Sequence, residues 1–204
     1  MKRRTFIIVL LCILLLALGF AVRALSAPTH SKQPSGEPGV AAVYHDHVIT
    51  IEALEYHREM RVLYGTADKQ KPVTDRELVD ELVTSIVLLE EAERRGIAVT
   101  DEDVAALVNN TREVYADPEG RKPLDDYCAA AGITIEQYFE NLEEQAPRTI
   151  ARQRVKDAIG NDYCEAHGIP FTKVNPPAEM EQAVSKELER LLQTARKDIV
   201  YYVD

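Results

Sequence analysis

The stretch TDRELVDELVTSIVLLEEAERRG, residues 74–96, dictates more about the fold than any other part of the chain. Thr74 followed by Glu77 has the spacing of a capping box, in which each side chain takes up a backbone N–H that the first helical turn leaves unpaired. Behind it Leu78, Leu82, Ile86 and Leu89 recur at helical spacing, and Val79, Val83, Val87 and Ala92 widen the stripe. A helix apolar over so wide an arc has to be enclosed, since each large aliphatic side chain contributes roughly 1.5 to 3 kcal/mol when buried. Gly96 is placed to end it in the left-handed conformation, with Ile97 folding back onto the last turn. The rest of the chain must supply the partners for this helix.

Those partners are mostly helical too. Thr100 opens a second helix with Asp101, Glu102 and Asp103 in its first turn, where acids meet the positive end of the helix dipole, and Val104, Leu107, Val108 and Val114 form its apolar side. Asp117-Pro118-Glu119-Gly120 breaks it. A short helix over 124–131 ends at Gly132, and Thr134 with Gln137 forms another capping box. The helix from 135 extends through Tyr138, Phe139 and Leu142 to 158 or beyond, with Pro147 either kinking or dividing it. After the irregular HGIPFTKVNPP, a last helix spans 178–197 with Met180, Val184, Leu188, Leu191 and Ala195 on one face.

The two ends of this helical region read as strands. Residues 40–44 and 48–49 are short runs rich in valine around His45-Asp46-His47, and Thr50 is placed to cap a helix from 51. Histidines at i and i+2 can share a ligand face on an extended backbone, but His30, His57 and His167 lack ligand spacing. The three polar residues therefore read as a tight turn, with no metal site. Residues 199–203, Ile-Val-Tyr-Tyr-Val, form a strand by composition. An exposed edge of that kind invites pairing, so it is expected to join the 40–49 hairpin in a small sheet. The fold class is mainly α: several helices with a β-hairpin paired to a C-terminal strand.

The amino terminus sets location. Residues 6–22 are seventeen in number without a charge, behind Lys2, Arg3 and Arg4, which is the short end of a membrane span. Residues 1–26 read equally as a signal peptide cut after Ala24-Leu25-Ser26 or as a retained signal anchor; either way the body is exported. Arg3-Arg4 has some likeness to a twin-arginine signal, but the leucine-rich centre suits the general secretory route. Cys12 lies inside the apolar run without a lipoprotein context. Residues 27–39, rich in Pro, Ser and Gly, form a linker, and 40–204 is one helical domain. Residues 27–204 carry 20 basic against 34 acidic residues, a charge of −14, which repels nucleic acid and anionic lipid. Cys128 and Cys164 fall in helices and read as free, partly buried thiols, although an exported pair could also be bridged.

In this order the parts resemble the exported chaperones of the SurA and PrsA type. VAAVYHDHVITIEAL is similar to the valine-rich hairpin that leads into their first helix, with His45-Asp46 in place of the usual Asn-Gly. EEAERRGIAVTDEDV and GITIEQYFENL are similar to the junctions that follow, and LERLLQTARKDIVYYV to the segment that ends such chaperones. The likeness covers about residues 40–167 and 178–203. In many members a parvulin prolyl-isomerase domain of about 100 residues stands before the closing helix; here only HGIPFTKVNPP occupies that place, so isomerase activity is not expected.

The resemblance implies an ATP-independent module outside the cytoplasm that holds unfolded or exported polypeptides, tethered to the membrane if the leader is retained. The alternative is a regulatory or structural domain for one dedicated protein partner; a reduced prolyl isomerase ranks below both. No nucleotide-binding loop is present and no cofactor is implied. Met60, Leu63, Tyr64, Tyr115, Tyr138, Phe139 and Leu142 are the candidate polypeptide contacts, and the same helical spacing also fits simple core packing. No catalytic residue is assigned: Asp101-Glu102-Asp103 and Glu143-Glu144 read as solvated helix faces. Asn109-Asn110-Thr111 matches a glycosylation acceptor only formally.

Overall fold

The structure, a computed structural model, describes residues 39–64 and 72–204, without the side chains of Leu63 and Tyr64. The expected leader and membrane segment at 6–22, and all but the last residue of the linker, lie outside the described residues. Among those described, no helix is long and apolar enough to cross a membrane.

Two strands, β1 (Val40–Tyr44) and β2 (His47–Thr50), precede six helices among the described residues: α1 (Ile51–Tyr64), α2 (Asp75–Arg94), α3 (Asp101–Ala116), α4 (Pro118–Ala131), α5 (Ile135–His167) and α6 (Ala178–Ala195). A third strand, β3 (Ile199–Tyr201), follows. The sheet is antiparallel with order β2-β1-β3, so the last strand lies against the first, as expected. His45 enters the left-handed region at φ 51 to turn the hairpin, and β2 takes in His47 and Thr50 beyond the expected pair. Thr50 still caps α1, its hydroxyl accepting from Ala53 N–H at 3.1 Å.

One face of the sheet is core. Ala42, Tyr44, Ile49 and Ile199 meet Leu78, Leu82, Val83 and Ile86 of α2 and Leu192 and Ala195 of α6. A buried carboxylate ties the closure together. Asp80 on α2 accepts from Tyr201 Oη at 2.5 Å and from Arg196 Nη2 and Nε at 2.6 and 2.8 Å. Burial first, then the bond to Asp80, pushes the Tyr201 hydroxyl up to about 12. It therefore remains a donor at neutral pH.

The α2 stripe is buried as expected at Leu78, Val79, Leu82, Val83, Ile86, Val87 and Ala92. Leu89 is the exception. It is half-exposed, and Leu88 turns inward instead, against Val155 and Ile159 of α5. The reason is that α2 has two partners at different angles, the sheet with α6 on one side and α5 on the other, so its apolar arc shifts along the helix. Capping boxes start α2 (Thr74, Glu77), α3 (Thr100, Asp103) and α5 (Thr134, Gln137).

Other boundaries that differ from expectation are the start of α4 and the ends of α6 and β3. α4 begins at Pro118, not 124: Asp117 ends α3 and also caps α4, accepting from Glu119 N–H at 2.8 Å, while Pro118 occupies the first turn, where no donor is needed. The chain turns so tightly there that a Cβ on Gly120 would lie 2.2 Å from the Val114 carbonyl oxygen. α5 is undivided through Pro147 and reaches His167. α6 ends at Ala195 and β3 at Tyr201, although Tyr202 N–H still donates to Ala41 O at 2.8 Å. Cys128 and Cys164 are both buried and free.

Two stability outcomes follow from this packing. Asp80→Ala strands the Tyr201 and Arg196 donors and is expected to cost about 2–3 kcal/mol in urea unfolding, with Tyr201→Phe costing about 1 kcal/mol. Gly120→Ala, despite its better helix propensity, is expected to cost about 2 kcal/mol, because the methyl group meets backbone that cannot move aside.

Candidate functional site

Most of the expected contact residues meet in one place, and it is a core. Met60 from α1 and Tyr138, Phe139 and Leu142 from α5 are buried with Val108, Leu124 and Tyr127. The rings interlock edge to face, Tyr127 with Tyr138 at 5.6 Å and Tyr138 with Phe139 at 5.3 Å. Tyr115 stands at the rim, 6.1 Å from Phe139 and half-exposed, its hydroxyl donating to Asp125 at 3.1 Å. Arg112 lies 4.4 Å over the Phe139 ring, closing that side. Leu63 and Tyr64 end α1, and their side chains lie outside the description. Of the seven, Met60, Tyr138, Phe139 and Leu142 are thus buried in the interior.

The His45-Asp46-His47 turn is structural. His45 Nδ1 lies 3.1 Å from Glu90, which also accepts from Tyr44 Oη at 3.0 Å. No group of three or more His, Cys, Asp or Glu suited to a metal ion occurs among the described residues.

An open apolar groove lies elsewhere, where α5, the connection 168–177 and α6 come together. It is a half-open groove of about 470 Å³ whose floor is Phe171, Met180, Val184 and Leu188. Its construction depends on a glycine. At Gly160 of α5 a Cβ would come within 3.3 Å of both Met180 Sδ and the Phe171 ring, so the missing side chain lets α6 and the connection approach closely. The wall is fixed by an ion pair between Lys173 and Asp157. Gln153, Lys156 and Glu181 complete a mixed-charge rim. Floor and rim together have the make-up of a site that takes apolar side chains with little demand for sequence.

The sequence pointed only partly to this groove. Met180, Val184 and Leu188 were visible as the stripe of the closing helix, but helical spacing does not say that α5 leaves Val184 and Leu188 half-covered. Phe171 stood in an irregular stretch. The available signal was one bulky aromatic among prolines and polar residues in a connection too short to have its own core.

α2 and α5 are joined by charge. Glu91, buried near the end of α2, accepts from Arg94 at 2.5 Å and from Arg95 at 2.6 Å, and Arg95 reaches across to Asp162 of α5 at 2.9 Å. The Arg94 bond, then the Arg95 bond, outweigh burial and hold the Glu91 carboxyl at about 2, below its ordinary 4.5. A carboxyl depressed on folding stabilises above its unfolded value, and that contribution is lost as pH falls through the folded value. Unfolding midpoints should therefore drop between about pH 4.5 and 2. In Glu91→Gln that part of the drop should disappear, with the midpoints of the two proteins converging at the acid end.

Comparison with known protein families gives a match to the family described as SurA-like N-terminal domain, over residues 1–154. No curated protein and no solved structure matches. The matched region ends within α5, so the groove's connection, α6 and β3 lie beyond it.

Proposed function

The chain belongs to the family of SurA-like N-terminal domains, and from that premise we propose that it is an ATP-independent binding module for unfolded or exported polypeptides, working outside the cytoplasm. The observation that carries the reading is the groove between α5 and α6, with its apolar floor at Phe171, Met180, Val184 and Leu188. An extended client placing two or three large side chains there gains roughly 1.5 to 3 kcal/mol for each. After an association cost of at least about 4 kcal/mol, at most about 5 kcal/mol remains, an affinity on the order of 0.1 mM or weaker. Clients held so weakly leave unaided, which suits a chain without a nucleotide-binding loop. Residues 6–22, anchored or removed, would keep the body on the export side.

The connection between α5 and α6, residues 168–177, is too short for a parvulin domain of about 100 residues. Binding without isomerisation is therefore the activity proposed. The chain is expected to leave the rate of prolyl isomerisation in a proline-limited refolding assay unchanged.

The direct test is dilution of unrelated, chemically unfolded proteins into buffer with and without the chain, followed by light scattering. The chain should slow aggregation. Val184→Glu, which puts a charge on the groove floor, should abolish most of the effect while leaving the helical circular dichroism intact. A chain that ignores every such client yet retains one protein in a pull-down would favour a dedicated partner domain and count against this reading.

A further inference from the structure

The floor of the groove includes one side chain that comes from its loosest wall. Phe171 belongs to the connection 168–177, and its ring shares with Met180 Sδ the seat that Gly160 leaves open, both lying 3.3 Å from where a Cβ would stand. The ring is half-buried and takes no part in the buried clusters around Leu82, Tyr138 and Val155. A thioether is a soft, adaptable neighbour. The seat therefore suits other large apolar side chains as well as this one.

The connection that carries Phe171 is held lightly. Among the described residues, 170–176 make no backbone–backbone hydrogen bond, and the Thr172 hydroxyl bonds locally, with Val174. Pro170, Pro176 and Pro177 have no N–H to offer, and α6 starts at Pro177 without the side-chain cap that fixes α2, α3 and α5. Left-handed residues stand near both ends, Gly168 at φ 66 and Asn175 at φ 54, and Val174 is 71% exposed. The polar tie to α5 is the ion pair of Lys173 with Asp157, whose carboxylate also accepts from Gln153 Nε2 at 2.9 Å. Lys173 is exposed, and such pairs stabilise little. A segment with so few backbone bonds and one solvent-screened tie opens at low cost.

We propose that the connection 168–177 is a gate and Phe171 its built-in occupant: when the gate lifts, a large apolar side chain of the client takes the seat against Gly160 and Met180 that the ring vacates. The Lys173–Asp157 pair is the latch. The gate rests on the reading of the groove as a client site and places a competitor inside it. A side chain that has to be displaced first lowers the apparent affinity by the fraction of chains whose gate is open. It also keeps the seat covered while no client is bound, which limits exposed apolar surface.

The two roles open to Phe171 differ in sign. A fixed floor residue contributes contact area, so its removal weakens binding. A resident competitor withholds the seat, so its removal strengthens binding.

The test uses the full chain in a lipid nanodisc, with isotope-labelled methionine methyl groups, and a capped synthetic peptide of serine and glycine carrying several leucines. Met1, Met60 and Met180 are the only methionines, so the Met180 methyl resonance reports the seat during titration. Phe171→Ala should bind the peptide about tenfold more tightly than the unaltered chain. Lys173→Gln, which frees the latch but keeps the ring, should bind it about threefold more tightly. Added salt should tighten binding more in the unaltered chain than in Lys173→Gln, because it screens the latch. Val184→Glu should abolish binding with or without Phe171→Ala. Binding that Phe171→Ala weakens or leaves unchanged, or that Lys173→Gln does not alter, would overturn the gate and leave the groove standing. A peptide that none of these chains binds, or that Val184→Glu binds equally well, would overturn the groove and the gate together.

Discussion

The antiparallel pairing of β3 with β1 is the contact on which the rest of the architecture depends. It joins residues about 160 positions apart in sequence, and the loop-closure cost of that join has to be met by what it buries. The return comes from Tyr44, Ile49 and Ile199 closing over Leu78, Leu82 and Val83, with α6 drawn in behind them. Asp80 then makes the closure specific, since its two oxygens take up Tyr201 and Arg196 at once. Without this join the last turns of α6 would lose their sheet contacts at Leu192 and Ala195.

How far the fold could be read in advance depended on where local chemistry decides alone. The capped starts of α2, α3 and α5 were legible because Thr with Glu, Asp or Gln three residues on satisfies backbone donors within a single turn. The β1–β3 pairing was legible because valine-rich and tyrosine-rich runs at both ends each needed an edge. The start of α4 was not. Asp117-Pro118 serves as stop and start together, and only the tertiary position of Gly120 against Val114 shows why the chain resumes its helix at once. The exchange of Leu89 for Leu88 has the same origin, because the direction of a helix's second partner is not written in its periodicity.

The candidate site was less legible for a related reason. Tyr138, Phe139 and Leu142 have the side chains a client surface needs, yet they are also what a core needs, and in this chain α1, α3 and α4 cover them. The groove formed instead where cover is missing, over Val184 and Leu188, because the 168–177 connection is short and Gly160 lets Phe171 sit low. Surface apolar residues are thus produced by incomplete packing of the closing helix, a property of the assembly and of no single segment.

The account is tested most directly by native-state hydrogen exchange of the full chain, comparing Val200 of β3 and Val43 of β1 with Leu82 and Val83 of α2. If the terminal strand closes the body, all four amides should open together with the same free energy in a single cooperative step. Free exchange at Val200 while Leu82 and Val83 stay protected would mean that β3 is not integral, and would contradict the closure.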